Sequence, residues 1–96
     1  MKKRDTLLIV DDMEVNRAIL RSLFERQYNL LEAENGEQAL LLLHEYEEHV
    51  AAMLLDLVMP VKDGYEVMEE MGKSGLVSRI PVIVITYDDT AESEVR

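Results

Sequence analysis

The sequence has no cysteine and no tryptophan, two prolines, four glycines and a single phenylalanine. Without cysteine there is no disulfide framework and no thiolate metal site, a composition suited to a reducing compartment. So little proline and glycine excludes a collagenous or low-complexity chain. No apolar run approaches the roughly 20 residues needed to span a bilayer. Positive charge is scarce as well: ten Lys and Arg stand against twenty Asp and Glu, for a formal net charge of −10 and a pI near 4.5. A field of that sign repels phosphate backbones, so no direct nucleic-acid binding is expected. The basic start Met1-Lys2-Lys3-Arg4 is followed by an apolar stretch too short for a signal peptide and by early acidic residues, which leaves the cytoplasm as the expected location. Gly-rich phosphate loops, Ser-His-Asp arrangements and zinc-ligand spacings are all missing.

What is present is a chain of 96 residues, 48% hydrophobic and 31% charged, read as one domain over residues 1–96. Four apolar runs stand out: Thr6 to Val10, Tyr28 to Ala33, Ala51 to Leu55 and Pro81 to Thr86. The first, third and fourth are apolar almost throughout, as expected of strands covered on both faces; the second, interrupted by Asn29 and Glu32, reads as an edge strand. Between the runs the period becomes helical. Val15, Ala18, Ile19 and Leu23 form an apolar stripe opposite Glu14, Arg17, Arg21 and Glu25, and such a stripe is expected to face the core. Asn35 caps a second helix, with Gln38 three residues on, and Ala39, Leu40, Leu43 and Tyr46 form its buried stripe. A third, shorter helix carries Tyr65, Met68 and Met71 and stops at Gly72 or Gly75. Strands alternating with helices predict an α/β fold, a doubly wound parallel sheet with right-handed crossovers.

In such a sheet, ligands bind beyond the carboxyl ends of the strands. The first strand ends in Asp11-Asp12, the third in Asp56 and the fourth in Thr86. One Asp at a strand end commonly caps a turn. Three converging from separate strands are another matter, because two carboxylates about 5 Å apart repel by roughly 3 kcal/mol at an effective dielectric near 20. They must take up protons or share a cation. An all-oxygen set suits a hard ion such as Mg²⁺, which keeps several waters and can share a phosphate with its protein ligands. Thr86 adds a hydroxyl donor for a phosphoryl oxygen.

These residues resemble a known family. Leu8-Ile9-Val10-Asp11-Asp12 followed by Asn16-Arg17 looks like the opening of a response-regulator receiver domain of two-component signalling. Leu54-Leu55-Asp56-Leu57-Val58-Met59-Pro60, with Asp63-Gly64 after it, resembles that family's phosphoacceptor strand and loop, and Ile80 to Thr86 its fourth strand. The resemblance implies a flavodoxin-like sheet of order 2-1-3-4-5. It implies that Asp56 accepts a phosphoryl group from a histidine kinase or phosphotransfer protein, with Asp12 binding Mg²⁺ directly, Asp11 through water, and the Val58 backbone carbonyl completing the protein ligands. Thr86 would hydrogen-bond the phosphoryl group and move inward as the switch, while Pro60 and Gly64 shape the loop, Gly64 by permitting φ > 0. Such a domain is a phosphoacceptor and not a turnover enzyme.

The chain also departs from the family. The lysine and the aromatic switch residue of the family's fifth strand have no counterpart after Thr86, so the sequence reads as a receiver truncated before that strand. Mg²⁺ binding is expected to survive, with slow phosphorylation poorly coupled to switching. The fourth strand becomes an apolar edge, a template for homodimerisation through Pro81 to Thr86. A degenerate receiver acting only as a dimerisation module is the alternative reading. Val58 and Asp88 sit two residues beyond Asp56 and Thr86, where slow hydrolysis of the phosphoryl group is expected, and Tyr87 is placed to screen the pocket. His44 and His49 read as solvated surface, and Met53, Met68 and Met71 as core.

Overall fold

A computed structural model describes residues 4–56, 64–76 and 79–85. Four strands, β1 (Thr6–Val10), β2 (Asn29–Ala33), β3 (Val50–Asp56) and β4 (Val82–Ile85), alternate with three helices, α1 (Glu14–Phe24), α2 (Gly36–Tyr46) and α3 (Gly64–Ser74). All pairings are parallel and the sheet order is β2-β1-β3-β4. This is the flavodoxin-like order over the strands described, and β2 lies at the edge as expected.

The apolar runs form the central strands because helices cover them on both sides. Every residue of β1 is buried, as are Met53, Leu54 and Leu55 of β3. Ala39 and Leu43 of α2 and Val67 and Met71 of α3 close one core cluster with Leu8, Val10 and Leu55. Each fully buried Leu or Val in it contributes about 1.5–3 kcal/mol over an exposed one. Asn35 caps α2 as anticipated, its Oδ1 accepting from the Gln38 amide at 2.9 Å, while Gln38 Oε1 accepts from the Glu34 amide at 2.8 Å. Helix α3 ends at Gly75, whose φ of 81° is open to a residue without Cβ.

Four expectations are corrected. The apolar stripe of α1 faces outward: Val15, Ile19 and Leu23 are 57%, 53% and 63% exposed, whereas Arg17 is 7% exposed. The inward side of α1 carries Arg17 beside the half-buried Ala18, Leu20 and Phe24, and Arg17 can be buried there because the Asp11 carbonyl and Glu32 accept from it. In α3, Met71 is buried and Met68 packs on the core as expected, but Tyr65 is 65% exposed and Val67 takes the inward place in its turn. Strand β4 is not covered on both faces, since Ile83 and Val84 are exposed at the end of the sheet. Gly64, expected to shape the loop, is the first residue of α3, and the positive φ of 81° is that of Gly75.

Candidate functional site

Parallel register carries the strand ends to one pole. Val10 lies opposite Leu55, so the next residues, Asp11 and Asp56, emerge side by side from β1 and β3. Asp11 is buried, Asp56 half-buried and Asp12, in the bend before α1, exposed. One carboxylate oxygen of each lies within 4.8 Å of the others. The trio read from the strand ends is therefore assembled.

Asp11 is held on three sides. Its N–H donates to the Ala33 carbonyl of β2 at 3.1 Å, and its own carbonyl accepts from Arg17 Nη1 at 2.7 Å. Its Oδ1 accepts from the Met13 amide at 2.9 Å, a turn that launches α1 in place of a side-chain cap. The other oxygen, Oδ2, is buried and has no hydrogen-bond partner. Burial pushes the Asp11 carboxyl above its ordinary value of 3.8 and the Asp12 charge adds to this; the Met13 amide, the Asn16 side chain and Arg17 oppose it. A buried carboxylate oxygen without a donor, in a carboxyl that converges with two others, is the chemistry a divalent cation completes. The all-oxygen donor set fits Mg²⁺ or a similar hard ion.

Charge and periodicity place Arg17 on the solvent face of α1, yet it organises this pole. Its Nε donates to Glu32 Oε1 of β2 at 3.1 Å and its Nη2 to Glu14 Oε1 at 2.6 Å. Arg21 joins from the next turn, donating to Glu32 Oε2 at 2.6 Å. The available signal was Glu32 itself, a carboxylate set between Leu31 and Ala33 inside a strand, which calls for a cation opposite. Thr86, Val58, Pro60, Tyr87 and Asp88 lie outside the described residues. No helix among the described residues is long and apolar enough to cross a membrane.

Similarity to known proteins agrees with this geometry. The response regulator receiver domain model matches residues 7–96. A probable cyclic di-GMP phosphodiesterase of Vibrio cholerae is 36% identical over 89 residues, 93% of this chain, and the chain spans only 20% of that protein's length. A response regulator receiver protein from Pseudomonas putida superposes with a TM-score of 0.79 at 29% identity, over 96% of this chain and 75% of that one. The Mn²⁺-bound form of the response regulator Rcp1 superposes with a TM-score of 0.76 at 27% identity, over 95% of this chain and 71% of that one. With the sheet order, the converging carboxylates and a match over nearly the whole sequence in agreement, the chain belongs to the response regulator receiver domain family.

Proposed function

We propose that the domain accepts a phosphoryl group on Asp56 in the presence of Mg²⁺, taking it from the phosphohistidine of a histidine kinase or phosphotransfer protein. The observation that carries the reading is the carboxylate trio with its unpartnered Asp11 oxygen. When bound, Mg²⁺ neutralises the trio and the incoming phosphoryl oxygens. Asp11 and Asp12 would hold the ion, and the family resemblance adds the Val58 carbonyl as a further ligand and Thr86 as the donor to the phosphoryl group. An oxygen of the Asp56 carboxylate bonds to phosphorus as the P–N bond of the donor breaks. The electron pair stays on the imidazole nitrogen, which then takes a proton. Little else is needed, because transfer of this kind depends on alignment and charge neutralisation. The product adds a charge of about −2 at a strand end, enough to rearrange neighbouring loops. The test is incubation with acetyl phosphate with and without Mg²⁺, followed by intact-mass analysis. One Mg²⁺-dependent phosphoryl adduct on Asp56 is expected; no adduct from a protein that binds Mg²⁺ would leave the alternative, an interaction module that is never phosphorylated.

The donor must bring its histidine to Asp56, so its body has to overlie the elements at the rim. Helix α1 begins two residues after Asp12, and the exposed Met13, Val15 and Ile19 form the apolar part of that rim. The donor is therefore assigned to this face, a protein that buries apolar surface there. Ile19→Glu is expected to cut phosphoryl transfer from the donor protein by about tenfold or more, the cost of placing a charge in an apolar contact. Acetyl phosphate, which needs no docking, should label this variant at the wild-type rate. Equal loss with both donors would overturn the assignment.

The β4 edge suits a second copy of the chain. Among the described residues β4 is paired on its β3 side alone, and Ile83 and Val84 are exposed beside the free edge. Sedimentation velocity is expected to show a concentration-dependent dimer that Ile83→Lys disperses.

A further inference from the structure

We propose that Arg17 is a positioning residue for the cation site, setting Mg²⁺ affinity through the peptide between Asp11 and Asp12. The inference rests on the Mg²⁺ reading above. Arg17 is a buried guanidinium whose three nitrogens serve three separate acceptors: the Asp11 carbonyl in the loop after β1, Glu32 on β2, and Glu14 on α1. Such a fork is planar and rigid, and one ammonium cannot reproduce it.

The contact at 2.7 Å falls on a hinge of the site. The amide of Asp11 is tied to the Ala33 carbonyl, so the chain entering Asp11 is fixed by the sheet. Its carbonyl belongs to the next peptide plane, whose nitrogen is that of Asp12. Rotation of that plane would swing the Cα–Cβ bond of Asp12, and with it one of the three carboxylates. Asp12 lies in neither strand nor helix. The Arg17 bond therefore converts a bend into a fixed ligand direction. Groups that orient metal ligands without touching the metal typically govern about 10- to 100-fold in affinity.

Charge and positioning predict opposite results. Removing a nearby positive charge makes an acidic site more attractive to a cation, whereas freeing the Asp11–Asp12 peptide makes it less so. Mg²⁺ titration by calorimetry and by amide NMR of Asp12 and Met13, below the melting temperature of each variant, separates the two. Arg17→Lys keeps the charge and loses the fork; Arg17→Met loses both. Both are expected to weaken Mg²⁺ by about tenfold. Glu32→Gln disturbs the same ion-pair network, which should lower stability, but leaves the Asp11 carbonyl contact and should hold affinity within about twofold. Wild-type affinity in Arg17→Lys, tighter binding in Arg17→Met, or equal weakening in Glu32→Gln would each overturn the proposal. Failure of the wild-type chain itself to bind Mg²⁺ would instead overturn the reading beneath it.

Discussion

Asp56→Asn is expected to abolish phosphoryl uptake, by a factor on the order of 10³ or more, as loss of a nucleophile does elsewhere. The amide oxygen is a poor nucleophile at phosphorus and carries no charge for the ion to steady. Fold should be kept, because Asp56 is the last residue of β3 and half-buried, and an amide of the same shape replaces it. Far-UV circular dichroism of the variant should overlay that of the wild type. Its Mg²⁺ affinity should fall too, since one of three converging carboxylates has gone. The adduct on the wild type should be lost in hydroxylamine, as an acyl phosphate is. A phosphoryl group retained at full stoichiometry in Asp56→Asn would place the acceptor elsewhere.

Asp11→Asn should act on stability in the opposite sense, raising it. The wild-type site buries an Asp11 oxygen with no donor, in a carboxyl that converges with those of Asp12 and Asp56. An amide in its place removes the charge and offers an N–H to the neighbouring carboxylates, while its oxygen can keep the Met13 contact. The gain is about 1–2 kcal/mol in metal-free protein, or about 4–8 °C in melting temperature per kcal/mol for a domain of this size. The pH dependence follows from the direction of the Asp11 shift. Burial raises the folded value above 3.8, so the folded chain holds the proton that the unfolded chain releases. Below the ordinary value both states are protonated and nothing is lost. As pH rises through 3.8 to the folded value stability falls, and the cost persists at neutral pH. The gap between Asp11→Asn and wild type should thus widen from about pH 4 upward and then level off. Mg²⁺ should close it, by stabilising the wild type and leaving the variant nearly unmoved. Calorimetric melts at several pH values with and without Mg²⁺ check each part. A gap independent of pH would mean that the Asp11 charge is not its source.

The strands and the acidic trio were legible because both depend on short-range rules. Runs such as Leu7-Leu8-Ile9-Val10, alternating with helical periods, point to a parallel sheet covered on both faces, and the ends of parallel strands then share one pole, whatever the helices do. Asn35 was legible because a cap acts within one turn. The orientation of α1 was not, because hydrophobic periodicity assigns arginine to water by default. The decisive partner of Arg17, Glu32, lies 15 residues along the chain on another element. Only the folded sheet shows that the guanidinium has three acceptors waiting. In α3, Met71 was legible, but the next position inward could be Val67 or Tyr65, and packing into the core selects Val67.

The manner in which α1 is fastened has a consequence of its own. Hydrophobic fastening tolerates brine, while a helix latched by Arg17 and Arg21 to Glu32 is weakened by it. Concentrated electrolyte should loosen this helix before it touches the apolar centre, the half-exposed Arg21 latch yielding ahead of the sheltered Arg17 one. The ionic strength of its surroundings thus becomes a dial on one wall of the acidic pole, separate from the stability of the domain as a whole.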